Sequence, residues 1–191
     1  MVITIDGPAG SGKSTVARLV ADRLGLRYVD TGAMYRELTA AALATGVSLN
    51  DGDQLAALVG RPAPPGADLR AEVISRNVSA ASRHPQVRAR MRARQRELAS
   101  DAVLEGRDTG SVVWPAAEVK VYLVANGRVR AERRAVQLGL PIEAVEQTIA
   151  DRDDMDSAQL APAPDAVVVD TSDLTIDQVV DRIVDMARAA A

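Results

Sequence analysis

The chain has 191 residues, 47% hydrophobic and 26% charged, with a net charge of −3. That is enough for one ordinary domain with a proper core. With no cysteine and a single histidine (His84), thiol catalysis, disulfides and Cys/His metal clusters are excluded. Aromatics at 2% leave no stacking surface for single strands, so no nucleic-acid partner is expected. No run reads as a membrane span or a secretory leader, so the expectation is a cytoplasmic protein without a membrane partner.

Residues 2–5 form a β-branched run, read as a buried strand. Gly7, four intervening residues, then Gly12, Lys13 and Ser14 match G-x-x-x-x-G-K-[ST]. Val16, Leu19, Val20 and Leu24 follow at helical spacing. Strand, glycine loop and helix thus come in the order a triphosphate cradle needs. Gly7, Gly10 and Gly12 let consecutive backbone N–H groups point inward. The helix start presents unpaired N–H groups and a positive dipole end to the anion. Lys13 suits the β- and γ-phosphates, and the Ser14 hydroxyl suits Mg²⁺. The ATP-binding set is Gly7, Pro8, Ala9, Gly10, Ser11, Gly12, Lys13, Ser14 and Thr15.

Residues 27–29 read as a second strand closed by Asp30, and Thr31 is expected to cap a helix ending at Gly46. A short helix is expected within residues 50–60, a loop over 61–68, and helices over 69–82 and from Pro85 to about residue 99. The last carries Arg88, Arg90, Arg92, Arg94 and Arg96, whose spacing by two scatters them around a helix, so most read as a solvated face. His84 reads as a loop residue with no role. Residues 102–104 form a third strand ending in EGRD, then comes a turn with Gly110. Residues 119–124 form a fourth strand. A basic helix opens near Arg128, another spans about 141–151, and residues 152–166 read as a mobile polar loop. A last strand over 166–170 and a helix over 175–189 close the chain.

The β–loop–α–β–α opening predicts a parallel sheet flanked by helices, with ligands at the carboxyl ends of the strands. Three arginine-bearing segments serve the phosphate loop: Arg36, Arg107, and the group from Arg130 to Arg152. Phosphoryl transfer needs positioning and cations spread over the transferring group, and arginine supplies bidentate, permanent charge. A late pair of basic helices with flexible connections reads as a lid that excludes water. No N-K-x-D segment is present, so the residues read as a small kinase rather than a switch GTPase or a non-catalytic ATP-binding module.

Six segments resemble one family, the bacterial cytidylate kinases, which are nucleoside monophosphate kinases. They are IDGPAGSGKSTVA, YVDTGAMYR, EGRDTGSVVWP, VRAERR, RDDMDS and DTS. The resemblance implies an α/β fold of the P-loop NTPase type, a three-layer α/β/α arrangement on a five-stranded parallel sheet. It implies one domain with its core at about 1–46, 100–126 and 165–191, a nucleoside monophosphate segment at about 47–99 and a helical lid at about 127–164. It implies transfer of the ATP γ-phosphate to CMP or dCMP with Mg²⁺, by a monomer. UMP, AMP and shikimate are the alternative acceptors.

Carried over by position, Thr31 and Arg36 would lie beside the acceptor, Arg36 on its phosphate with Arg107. Ser79 and Arg88 would read cytosine, helped by Asp108. Arg152 and Asp156 would face the acceptor phosphate and sugar, and Arg130 and Arg134 would serve ATP from the lid. Lys13, Arg36, Arg107, Asp108 and Arg152 form the implied catalytic set. The chain also departs from the pattern: Gln159 stands where members usually carry an arginine, and residues 47–69 and 160–166 are short stretches for the family.

Overall fold

The computed structural model describes residues 1–156 and 160–191, with the side chains of residues 152, 155 and 156 not among those described. The chain divides into two compact units, Met1–Val29 with Ala99–Ala191, and Asp30–Leu98.

The first unit is built on a five-stranded parallel sheet in the order β2-β3-β1-β4-β5. The strands are β1 (Val2–Asp6), β2 (Arg27–Asp30), β3 (Ala102–Gly106), β4 (Val119–Val124) and β5 (Val167–Asp170). β1 lies between β3 and β4, with Ile5 opposite Glu105 and Val121, and Asp6 opposite Gly106 and Tyr122. Both faces of β1 are covered, so all five of its residues are buried, the polar Thr4 and Asp6 along with Val2, Ile3 and Ile5. Ile3 and Ile5 pack with Val103, Val121 and Leu123 under α1 (Lys13–Leu24) and α8 (Ile176–Ala189). Val2 and Leu104 turn the other way, toward Val113 and the half-buried Trp114. This alternation of period two also assigns the polar strand ends. Glu105 shares a face with Val103, and Asp6 shares a face with Val2.

α6 (Gly127–Leu138) and α7 (Ile142–Asp156) pack through Ala131, Ala135, Val145 and Ile149. The second unit is helical: α2 (Thr31–Thr45), α3 (Gly52–Ala57), α4 (Glu72–Ser82) and α5 (Pro85–Leu98). Its core is Leu38, Leu55, Ala81, Val87 and Met91. The stripe Val87, Met91 and Gln95 is buried, while Arg90, Arg94 and Arg96 are exposed, as the solvated-face reading requires.

Four local expectations change. Asp30, not Thr31, caps α2, because its carboxylate accepts from Ala33 N at 2.7 Å, and Thr31 is the buried first helical residue. α7 runs to Asp156, so residues 152–156 are helical rather than loop. With no glycine or proline in that stretch, the polar run is a helix face, and Gln147 bonds Asp151 one turn away. Residues 157–159 lie outside the described residues. The turn with Gly110 is a π-helical turn, Thr109–Val113. His84 does have a role, since its Nε2 sits 2.8 Å from the Leu49 carbonyl and ties that loop to the start of α5.

Lys120 illustrates how a buried cation is accommodated beside this sheet. Its side chain is only 8% exposed, and its ammonium donates to Asp165 at 2.6 Å. That bond holds the Asp165 carboxyl below its ordinary range. A depressed carboxylate contributes stability above its unfolded value and loses it as pH falls through the folded one. Asp165→Asn should therefore be less stable than the parent at neutral pH, and urea titrations at successively lower pH should show the gap closing.

Candidate functional site

In the first unit the site starts where β1 ends. Gly7 has φ +146°, and a Cβ there would lie 2.1 Å from the Leu123 carbonyl oxygen of β4. No other residue lets the chain leave the sheet so close to its neighbour. The loop then curls on itself, with Ser11 Oγ and Lys13 Nζ both donating to the Pro8 carbonyl, at 3.1 and 2.6 Å. Gly12 caps α1 in a left-handed conformation with no side-chain bond to the first N–H groups. Those groups are the ones a helix start offers to an anion. Lys13 is buried and Ser11 fully so, whereas Thr15 is exposed on the first turn of α1.

Three groups from elsewhere in the chain close on this loop. Arg107 Nη1 donates to the Gly7 carbonyl at 2.6 Å. Arg130, on the first turn of α6, donates to the Ala9 carbonyl at 3.0 Å and to Asp153 of α7 at 2.6 Å. Asp153 Oδ1 is buried with no hydrogen-bond partner among the described residues. Thr171, after β5, has its hydroxyl 3.3 Å from the Ser11 carbonyl, and Arg133 holds it through both Oγ1 and the backbone carbonyl.

Ser14 Oγ donates to Glu105 Oε1 at 2.7 Å, and Tyr28 donates to Oε2 at 2.5 Å. Glu105 is buried at the end of β3. A hydroxyl and a carboxylate at hydrogen-bond distance are hard oxygen donors, a set that fits Mg²⁺ shared with phosphates and water. Among the described residues no cluster of three or more His, Cys, Asp or Glu could hold a metal alone. On the opposite face Asp6 is buried too, accepting from Thr109 and Gly110. Burial pushes its carboxyl above the ordinary range, while the Gly110 and Thr109 donors pull it back.

The predicted residues divide between the units. Residues 7–15, Arg107, Asp108, Arg130 and Arg134 belong to the first, and the described bonds bring Arg107 and Arg130 onto the phosphate loop. Arg134 donates to Gln137 on its own helix at 3.3 Å, whereas Arg133 reaches the loop's neighbour Thr171. Arg152 and Asp156 sit on the last turn of α7, and their side chains, like all of Gln159, lie outside the described residues.

Thr31, Arg36, Ser79 and Arg88 belong to the second unit. There Asp30 Oδ2 pairs with Arg36 Nη2 at 3.0 Å, and Arg36 Nε is buried with no hydrogen-bond partner among the described residues. Ser79 is half-buried on α4 and Arg88 half-buried at the start of α5.

Sequence reasoning passes over Glu105, Asp6, Asp153 and Thr171, and includes Arg133 only within the group from Arg130 to Arg152. Glu105 and Thr171 stand at strand ends, in the EGRD and DTS segments, and that position is the signal that would raise them.

A glycine loop between a parallel strand and a helix, with cations on its carbonyls, defines a phosphate-binding protein of the P-loop class. The cytidylate kinase family profile matches residues 3–189. The chain is 43% identical to a cytidylate kinase of Nocardia farcinica, over 96% of this chain and 91% of that one. It is 44% identical to a cytidylate kinase of Shouchella clausii, over 97% and 95%. In fold it is similar to a shikimate kinase from Acinetobacter baumannii, with a TM-score of 0.52 at 16% identity over 98% and 92% of the two chains. The chain belongs to the cytidylate kinase family. The family's members are ATP-dependent phosphotransferases acting on small nucleotides.

Gly10 has φ +77°, and a Cβ on it would lie 2.8 Å from the Arg130 carbonyl oxygen and 2.9 Å from its Cβ. Gly12, at φ +90°, has nothing within 4 Å. Gly12→Ala meets only the left-handed backbone penalty, of order 1–3 kcal/mol. Gly10→Ala adds a clash with the backbone of α6. Urea denaturation should rank Gly10→Ala below Gly12→Ala in stability.

Proposed function

We propose that this chain transfers the γ-phosphate of ATP to CMP or dCMP, giving CDP or dCDP and ADP. The observation that carries this reading is the loop of residues 7–14 with Lys13 beneath it, in a chain whose family profile match runs from residue 3 to 189.

In this reading the N–H groups of the loop and of the start of α1 hold the donor phosphates. Lys13 exchanges its bond to Pro8 for the β- and γ-phosphates. Arg130 and Arg134 serve ATP from α6, the lid with α7, and Thr15 lies beside the donor. Arg36, Arg107 and Arg152 share the acceptor phosphate. Ser79 and Arg88 read the cytosine edge with help from Asp108, Thr31 borders the acceptor, and Asp156 faces the sugar. Ser14 and Glu105 would hold Mg²⁺ through its oxygen and water ligands, and the ion would neutralise charge on the β- and γ-phosphates. The arginines stay charged and are oriented before reaction, so they stabilise the in-line transition state without reorganising. Closure of the lid excludes water, so the acceptor oxygen rather than water attacks. Monomeric state and cytoplasmic location are part of this proposal. None of the described helices is long and apolar enough to cross a membrane.

The test is an ADP-release assay with ATP and Mg²⁺, comparing CMP, dCMP, UMP, AMP, shikimate and no acceptor. Turnover with CMP or dCMP, weak with UMP and absent with AMP, is expected. Equal slow release with and without acceptor would leave an ATPase or a non-catalytic ATP-binding module, and faster turnover with AMP or shikimate would reassign the acceptor.

Gln159 allows a second test. If it costs a charge-assisted contact to the acceptor phosphate, worth about 1.5–3 kcal/mol, Gln159→Arg should lower KM for CMP by about tenfold or more. Unchanged KM and kcat would discard that idea.

A further inference from the structure

The acidic residue at the end of β1 takes no part in that reaction. A carboxylate next to an anion cradle would repel the ligand, yet Asp6 is only 6% exposed and directly precedes Gly7. Its geometry accounts for its presence. Oδ1 accepts from Thr109 N at 2.9 Å and Thr109 Oγ1 at 2.8 Å, and Oδ2 accepts from Gly110 N at 2.8 Å. Both oxygens are thus turned onto the first N–H groups of the π-helical turn, groups that a helical start leaves without internal partners. The fit is close on the other side as well. Thr109 is fully buried, and a Cβ on Gly110 would lie 2.7 Å from Thr4 Oγ1 and 3.5 Å from Asp6 Oδ2.

The turn that Asp6 grips follows Arg107 and Asp108 directly. Arg107 in turn donates to the carbonyl of Gly7 at 2.6 Å. Two adjacent residues at the end of β1 therefore hold two points of one segment, Asp6 its backbone from the far side of Asp108, and Gly7 the guanidinium. Phosphoryl transfer is carried mostly by placement, and a displacement of about 1 Å can cost on the order of 100-fold in rate.

We propose that Asp6 and Thr109 are positioning residues that fix Arg107 against the phosphate loop and so set the grip on the acceptor phosphate. This rests on the reading that Arg107 contacts that phosphate. A purely structural role would move stability alone, so the measurements are kcat, both KM values and the urea midpoint.

Four single variants of the full chain test it: Asp6→Asn, Thr109→Val, Thr109→Ser and Arg107→Ala. Asp6→Asn puts an amide against a backbone N–H. Thr109→Val removes one bond from an otherwise intact clamp, and so carries the test even if Asp6→Asn folds poorly. Thr109→Val should raise KM for CMP and lower kcat by about tenfold together, with KM for ATP within about twofold. Thr109→Ser, which keeps the hydroxyl, should restore both. In an Arg107→Ala background, Thr109→Val should add nothing to KM for CMP. Folded Thr109→Val and Asp6→Asn proteins with parental kinetics, or with both KM values raised equally, would overturn the proposal. Parental KM for CMP in Arg107→Ala would overturn the role given to Arg107, and the clamp's purpose with it.

Discussion

A parallel sheet brings the carboxyl ends of all its strands to one edge, and the rest of this site depends on how β1 leaves that edge. β1 is flanked on both sides, so its chain must turn out past β4 with no side chain in the way. That requirement selects Gly7. Once the turn is made, the Gly7 and Ala9 carbonyls face outward and become anchors for Arg107 and Arg130. The phosphate loop is therefore a carbonyl scaffold for cations as well as an N–H cradle for anions.

Strand alternation divides the labour between two buried carboxylates. Glu105 ends β3 on the face covered by α1 and takes hydrogen bonds from Ser14 and Tyr28. Asp6 ends β1 on the other face and takes the backbone of the Thr109–Val113 turn. A buried carboxylate without donors would be strongly unfavourable. Here each is satisfied by hydrogen bonds from the segment packed against it, which offset its desolvation.

Much of this is legible in the sequence where the signal is local. The loop, its flanking strand and helix, and the parallel sheet all follow from spacing within the first turn of the chain and from β-branched runs. The features that sequence reasoning misses depend on contacts between distant segments. Gly10 reads as backbone freedom for a phosphate loop, yet its missing Cβ makes room for Arg130, far along the chain. Asp30 and Thr31 are both good caps by type, and only the geometry of the Ala33 N–H decides between them. The polar run in α7 reads as a loop because composition does not distinguish an exposed helix face from a flexible chain. Arg133 and Arg134 are indistinguishable by type, and helix phase alone sends one to Thr171 and the other along its own helix.

The π-helical turn has one further property. The only tryptophan of the chain, Trp114, follows it directly, bonds back through its backbone N–H to the Thr109 carbonyl at 2.8 Å, and packs half-buried beside Val2 and Leu104. Its indole is thus attached to the element that Asp6 clamps and that leads back to Arg107. With no other indole to obscure it, intrinsic fluorescence in this protein is a local optical probe of that turn, a native label close to the point where Arg107 is anchored on the Gly7 carbonyl.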